Sequence, residues 1–180
     1  YDFYITYWDR DNNQAIFEYP TNVLKTPEWS PDGKSFVFVK DMATQTTILD
    51  ELMYSDWEGN LTQLTDFSPY YDYSKIDAFK WSPDGCYMAI LFRTNSTWNS
   101  DDKEVLQYLF ILNVETKEII DYCIPTNMFI GYPVWSPDSA YIAVDLQKKD
   151  CCCPEDYVIN LDTGAAVKIA DGLTPLVWMK

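Results

Sequence analysis

Three adjacent cysteines are the most distinctive reactive residues of the chain. Cys151, Cys152 and Cys153 precede Pro154, and reduced thiolates are soft ligands that suit copper(I) or zinc. Adjacent side chains seldom converge on one ion, and the sequence identifies no fourth ligand. The alternative is a loop between strands that holds one disulfide or free thiols. The cysteine run is therefore only a candidate metal site, and we predict no bound cofactor.

The chain has 180 residues and contains no histidine, which limits its chemistry. A Ser-His-Asp or Cys-His constellation and any zinc site with imidazole ligands are excluded from these residues. The sequence also has no Gly-x-Ser-x-Gly nucleophile elbow, phosphate loop or dinucleotide fingerprint. Acidic clusters such as Asp145 with Asp150 do not match a calcium-binding loop closely. We predict that the chain is not an enzyme, and we assign no catalytic residue.

A run of aromatic residues is the candidate for contact with a partner. Tyr70, Tyr71 and Tyr73 follow Phe67 in a segment between predicted strands. Exposed tyrosines offer a large contact area at a low cost in side-chain entropy. The alternative is that these rings pack down between neighbouring structural units.

A repeated Trp-Ser-Pro-Asp motif organises the chain that carries these candidates. Three copies occur, and the segment that ends at Trp178 repeats the approach to the motif. The tryptophans recur at intervals of roughly 40 to 55 residues, near the length of a four-stranded propeller blade. The residues that define the repeat are Trp29, Pro31, Asp32, Gly33, Trp81, Pro83, Asp84, Gly85, Trp135, Pro137, Asp138 and Trp178.

Each motif is predicted to form a tight turn between the first and second strands of a blade. Proline fixes φ near about −65°, aspartate accepts backbone hydrogen bonds, and glycine tolerates positive φ. The tryptophan before the turn is predicted to fill the space between blades. The third copy has Ser139 in place of glycine, so we expect either another turn type or a strained residue there.

Alternating and β-branched runs after each motif predict the remaining strands of the blades. The second strands are predicted over 35–40, 86–92 and 140–146, the third over 47–55, 105–114 and 156–161, and the fourth over 61–65, 118–123 and 165–170. The predicted units are a partial blade at 1–20, blades at 21–66, 74–124 and 130–171, and the first strand of another blade at 172–180. We therefore predict an all-β fold, a β-propeller of four-stranded antiparallel blades with about four blades' worth of sequence.

The charge of the chain narrows the range of partners. It carries 13 basic and 28 acidic residues, a formal net charge of -15. Such a surface repels nucleic acid and anionic lipid, so we expect neither as a partner. No apolar run approaches the roughly 20 residues that span a bilayer, so we expect no membrane insertion.

At these motifs the sequence resembles the TolB-like family of WD-type β-propellers. Repeats of that family carry a Trp-Ser-Pro-Asp-Gly turn followed by a strand similar to the segment 34–38 here. The resemblance covers nearly the whole chain and implies a periplasmic, cell-surface or secreted location. It leaves function open, because such repeats occur in periplasmic scaffolds, cell-surface proteins and the gating domains of prolyl oligopeptidase-like peptidases.

The predicted strands leave the closure of the propeller open. Either a three-stranded blade closes a small four-bladed ring, or further blades come from additional sequence or another subunit, and we favour the second. We expect a non-catalytic module that holds a protein partner or further copies of itself. The alternatives are the propeller of a prolyl oligopeptidase-like peptidase, and a structural subunit that self-assembles through open blade edges.

Overall fold

Every regular element in the described part of the chain is a β-strand, which confirms the predicted all-β fold. The computed structural model describes residues 3–9, 14–21, 27–42, 44, 47–95, 105–122, 124, 128–148, 153–173, 175, 177 and 178, with the backbone alone for 3–9, 14–21 and 105. The chain divides into two compact units, Tyr1–Ser74 and Lys75–Lys180.

The N-terminal strands form a separate antiparallel hairpin. Strand β1 (Phe3–Asp9) pairs with β2 (Gln14–Thr21), from Phe3 opposite Thr21 to Asp9 opposite Gln14. The sequence predicted two strands here, as the third and fourth strands of a partial blade.

The first blade is a four-stranded antiparallel meander, built from consecutive strands. Its strands are β3 (Glu28–Trp29), β4 (Ser35–Asp41), β5 (Ile48–Asp56) and β6 (Leu61–Gln63). Most residues of β4 and β5 are buried on both faces of the sheet, so these strands have the near-continuous apolar run of a central strand. Phe36, Phe38 and Met53 form an apolar cluster in this blade.

The second and third blades repeat this meander. The second consists of β7 (Tyr73–Trp81), β8 (Tyr87–Asn95), β9 (Val105–Asn113) and β10 (Ile119–Asp121). The third consists of β11 (Met128–Ile130), β12 (Val134–Trp135), β13 (Tyr141–Lys148), β14 (Glu155–Asn160) and β15 (Ala166–Asp171). Strands β11 and β12 both pair with β13, so the first strand of the third blade is split in two.

The motif turns are held by a buried serine whose role the sequence did not reveal. In the second blade, Ser82 Oγ donates to Asp84 Oδ1 at 2.6 Å and accepts from the backbone N–H of Tyr87 at 2.9 Å. The same carboxylate oxygen accepts from the N–H of Cys86 at 3.0 Å, and Gly85 N–H donates to Ser82 O at 3.0 Å. The corresponding bonds recur around Ser30 and Ser136. The serine therefore fastens the turn to the start of the second strand.

The third turn keeps the same geometry although it has no glycine. Gly33, Gly85 and Ser139 have φ of 69°, 75° and 61°, so the expectation of a strained residue at Ser139 is confirmed and another turn type is not seen. Ser139 is buried, and its Oγ accepts the backbone N–H of Asp84 at 3.1 Å. A serine at this position thus ties the turn of the third blade to the turn of the second.

The second and third blades share one apolar core and several polar links. Trp135 is buried in this core and donates from Nε1 to the carbonyl oxygen of Lys80 at 3.0 Å. The hydroxyl of Tyr122 donates to the carbonyl oxygen of Leu161 at 2.9 Å. The buried members of the core are Ala89, Leu91, Leu109, Ile111, Ile124, Ile130, Trp135, Ile142, Val144, Leu146 and Ile159.

The three motif tryptophans do not share one environment. Trp81 and Trp135 are buried, and Trp135 packs in the core that the second and third blades share. Trp29 is 52% exposed, and its ring meets the edge of Phe36 within its own blade, with ring centroids 5.3 Å apart. The structure therefore places Trp29 differently from the interblade packing predicted for it.

Replacing Ser82 with alanine should destabilise the fold. Ser82 is fully buried, and its loss leaves the N–H of Tyr87 without its side-chain acceptor. We expect the free energy of unfolding in urea to fall by about 1–3 kcal/mol. Ser68→Ala is the control, because Ser68 is exposed, and it should change this free energy by less than about 0.5 kcal/mol. Equal midpoints for the two variants would contradict the role given to the motif serine.

Substitutions at Ser139 separate backbone strain from the interblade hydrogen bond. Glycine relieves a strain of about 0.5–1 kcal/mol, whereas losing the acceptor for the Asp84 N–H costs about 1–3 kcal/mol. We therefore expect Ser139→Gly to be less stable than the wild type. Ser139→Ala keeps the strain and loses the bond, so it should be less stable still in the same urea titration. A glycine variant that is more stable than the wild type would show that the strain outweighs the bond.

Candidate functional site

The two faces of the third blade have different surroundings. Side chains alternate along a strand, so Ile142, Val144 and Leu146 point to one face, where they join the core shared with the second blade. Ala143 and Asp145 point to the opposite face, together with their cross-strand partners Val158 and Asp156. We call this second surface the outward face.

The outward face leaves large apolar side chains exposed. Val167 lies opposite Val158 in the sheet, and Val167 and Ile169 are each 60% exposed. Leu173 and Val177, in the segment after β15, are also mostly exposed. Apolar side chains clustered in this way are typical of a surface that another protein element covers.

A cavity of about 340 Å³ opens on the outward face. Its walls come from all four strand positions of the blade and from the segment after β15. Apart from one carboxylate, the side chains in the walls are apolar or aromatic. The lining residues are Val134, Ala143, Asp156, Val158, Ile169, Ala170, Leu173, Pro175, Val177 and Trp178.

Trp178 holds the last part of this wall in place. Its Nε1 donates to the carbonyl oxygen of Val134 at 3.0 Å, as Trp135 donates to Lys80 at the same distance. Val134 and Lys80 each directly precede a motif tryptophan. Trp178 therefore meets the third blade as Trp135 meets the second, although residues 177 and 178 are not in a strand and the predicted first strand of a further blade stays a prediction.

Two aspartates lie side by side on the outward face. Asp145 in β13 is the cross-strand partner of Asp156 in β14. Asp156 is 1% exposed, and its Oδ2 accepts the N–H of Leu173 at 3.2 Å. Within the described ranges, Oδ1 of Asp156 and Oδ1 of Asp145 are buried and have no hydrogen-bond partner. A buried carboxylate oxygen without a hydrogen-bond donor is unfavourable, so a donor brought by another molecule would stabilise this pair.

The surroundings of Asp145 disfavour its charge. Burial, followed by the nearby charge of Asp156, raises the pKa of Asp145 above its usual value. A Cβ at position 131 would collide with the carboxylate of Asp145, so the close approach requires Gly131. The sequence grouped Asp145 with Asp150, which lies outside the described residues. Its cross-strand partner, Asp156, becomes apparent only from the strand register.

The predicted aromatic contact segment is anchored by a buried glutamate. Glu51 is 1% exposed and accepts from the backbone N–H groups of Phe67 and Ser68 at 2.7 and 2.9 Å, and from Thr65 Oγ1 at 2.6 Å. Burial raises the pKa of Glu51, and these hydrogen bonds oppose that effect. The sequence gave no sign of this role, because Glu51 stands among apolar residues of a predicted strand.

The three predicted contact tyrosines fall in different environments. Tyr70 is 80% exposed and therefore accessible to a partner. Tyr71 is partly buried, with its ring 6.3 Å from that of Phe67 in an edge arrangement, and Tyr73 lies partly buried in β7. Of the two alternatives, exposure therefore fits Tyr70, and packing against the protein fits the other two better.

Of the three adjacent cysteines, the structure describes Cys153. Cys151 and Cys152 lie outside the described residues, and Cys153 is exposed. Cys86 is exposed in the motif turn directly before β8 rather than within the strand predicted for it. Among the residues with a described structure, no group of three or more His, Cys, Asp or Glu could hold a metal ion. Over the same residues, the structure has no helix long and apolar enough to cross a membrane.

Comparison with solved structures identifies the architecture. The chain is similar to the β-propeller domain of the Trilobed protease from Pyrococcus furiosus, with 16% identity, a TM-score of 0.66 and coverage of 96% of this chain and 49% of that one. TolB from Acinetobacter baumannii matches with 16% identity, a TM-score of 0.53 and coverage of 93% and 37%. A prolyl endopeptidase matches with 16% identity, a TM-score of 0.59 and coverage of 80% and 22%.

These similarities establish a fold and no more. The chain spans less than half the length of each of these three structures. No family model and no curated protein matches its sequence. The chain is therefore a β-propeller module with a TolB-like fold, and its role has to be argued from its own surface.

Replacing Asp145 with asparagine should stabilise the isolated chain at neutral pH. The raised pKa of Asp145 means that its ionised form weakens the folded state whenever the pH lies above that pKa. We expect a gain in stability of roughly 1 kcal/mol near pH 7, measured by thermal unfolding. This gain should disappear below the usual aspartate value of 3.8, where the wild-type carboxyl is neutral as well. Asp162→Asn, at an exposed turn, is the control and should show no such pH-dependent gain.

Proposed function

We propose that this chain is a non-catalytic β-propeller module that holds a protein partner on the outward face of its third blade. The observation that carries this proposal is the group of exposed apolar side chains around the cavity, with Val167, Ile169, Leu173 and Val177 all at least 60% exposed. Exposed apolar side chains that lie close together are unfavourable in water, and binding to another protein surface buries them.

The chemistry of the chain supports a protein as the ligand. The formal charge of -15 opposes binding to nucleic acid or anionic lipid. A sheet face with protruding β-branched side chains is the surface against which a second sheet packs in this fold. The exposed Tyr70, on a connector held by Glu51, is a second and independent contact point. Because the chain resembles TolB-like proteins, we also propose that it acts outside the cytoplasm, in the periplasm, at the cell surface or as a secreted protein.

A role without catalysis is consistent with the sequence. These 180 residues include no histidine, so the usual hydrolytic triads cannot be built from them. The cavity on the outward face has one carboxylate among apolar groups, which suits binding rather than nucleophilic chemistry.

Native mass spectrometry on the tagged chain, isolated from its own cells, tests the proposal. We expect the wild type to carry a partner that is lost from the double variant Val167→Glu/Ile169→Glu, because two buried charges oppose the contact. The matched control is Leu61→Glu/Ile120→Glu, which places the same charges on exposed apolar residues in the fourth strands of the first and second blades. This control should keep the partner.

Each result has a definite meaning. A wild-type chain found alone, or a partner that survives in the outward-face variant, would overturn the proposal. A partner with the mass of the chain itself, lost in the same variant, would identify a second copy and favour the self-assembling subunit.

The second candidate is the propeller of a larger peptidase. It is favoured by the similarity to a prolyl endopeptidase and to the propeller of the Trilobed protease, of which this chain spans 22% and 49%. An α/β-hydrolase segment in the same open reading frame would establish this candidate, and a reading frame without one would eliminate it.

A further inference from the structure

The three blades can be compared position by position, because their second and third strands share one register. The residue two positions after the motif Gly or Ser pairs with the end of the third strand in each blade, as Ser35 with Asp56, Tyr87 with Asn113 and Tyr141 with Asn160. Four residues further along the second strand, the pairs are Val39 with Leu52, Leu91 with Leu109, and Asp145 with Asp156.

This position is apolar in the first two blades. Val39 and Leu52 are buried, and so are Leu91 and Leu109. Leu91 and Leu109 belong to the core that the second blade shares with the third. In the second blade, the pair therefore lies where the sheet of the third blade packs against it.

The third blade has two carboxylates at the position where the other blades have aliphatic side chains. Both residues keep the same register and the same face, and Asp156 is as deeply buried as Leu109. Yet each aspartate has a buried Oδ1 with no donor among the residues whose side chains are described. Burying such an oxygen is unfavourable unless a donor arrives with the element that covers it.

We infer that the outward face of the third blade accepts a protein segment that places an arginine or lysine side chain over Asp145 and Asp156, with the alkyl stem of that side chain in the apolar cavity. This inference rests on the proposed function and specifies the chemistry of its partner. The cavity of about 340 Å³ has apolar walls for a stem and, in Asp156, a carboxylate for the charged head. Arginine and lysine combine these two parts in one side chain.

A basic side chain fits the site better than a metal ion does. Calcium takes six to eight oxygen ligands, and structural zinc takes nitrogen or sulfur ligands. The described walls of the cavity offer the carboxylate of Asp156 among apolar side chains, and Asp145 beside it adds a second, so the two side chains have at most four oxygens. The excess of 28 acidic over 13 basic residues also attracts a basic partner. Burial raises the pKa of Asp145, and an adjacent cation would reverse that effect.

A titration with small probes tests the chemistry directly on the whole chain. The probes are n-butylguanidinium and the neutral alcohol n-pentanol, which has a similar length but no charge. Binding is followed by NMR shifts of the Ala143 and Val158 methyl groups and the Trp178 indole N–H, which all belong to cavity-lining residues. We expect the wild type to bind the guanidinium at least about tenfold more tightly than the alcohol, since charge-assisted hydrogen bonds are the strong ones.

Substitution of Asp156, the carboxylate that lines the cavity, should remove this preference. Asp156→Asn keeps the shape of the side chain and the acceptor for the Leu173 N–H, so we expect a folded variant that binds the two probes within about twofold of each other. Asp162→Asn removes the same charge from an exposed turn and should keep the preference of the wild type. An unchanged spectrum outside the cavity verifies that Asp156→Asn is folded.

The outcomes separate this inference from the proposed function. Equal affinity for the two probes in the wild type, no binding of the guanidinium, or a preference that survives Asp156→Asn would overturn the inference. Saturable binding of Mn²⁺ or Ca²⁺ that displaces the guanidinium would overturn it too, in favour of a cation site. If the native partner is lost with Val167→Glu/Ile169→Glu but kept with Asp156→Asn, the protein-binding function stands and only the basic side chain is wrong.

Discussion

The burial of one blade face against the next is the interaction on which the rest of this structure depends. An apolar sheet face has to be buried against another element, and the third blade covers one face of the second, the face that carries Leu91 and Leu109. Two polar links accompany this contact. Nε1 of Trp135, which is buried in the shared core, donates to the carbonyl oxygen of Lys80, and the N–H of Asp84 in the second motif turn donates to Ser139 Oγ in the third. These links orient the two sheets, while the apolar area between them supplies most of the stability.

Much of the architecture could be predicted from the sequence because its signals are local. Proline, aspartate and glycine specify a tight turn through their own backbone preferences, and strand patterns depend on the nearest few residues. The observed second strand Tyr87–Asn95 and third strand Val105–Asn113 lie close to their predicted bounds. Even the departure at Ser139 could be flagged, since a non-glycine residue in that turn has to adopt positive φ.

The candidate site was less predictable because its parts meet only through strand register. Asp145 and Asp156 become neighbours when β13 pairs with β14, and the sequence offered the nearby Asp150 as a more obvious companion. The role of Glu51 could not be predicted for a similar reason, because the groups that donate hydrogen bonds to its carboxylate lie in a connector beyond the next strand. The exposure of Trp29 also depends on tertiary packing, which a motif shared with Trp135 does not encode.

The hydrogen bond from a tryptophan Nε1 to the neighbouring repeat, which we call the tryptophan joint, has a consequence for the evolution of such a protein. Trp135 and Trp178 each donate to a main-chain carbonyl, and the receiving residue is the charged Lys80 in one case and the aliphatic Val134 in the other. Because the acceptor is a main-chain carbonyl, which every residue has, the tryptophan joint does not require matched mutations in the two neighbouring repeats. Duplication or deletion of one repeat would therefore still bring a tryptophan next to a main-chain carbonyl of its neighbour, so this hydrogen bond does not itself restrict the number of repeats.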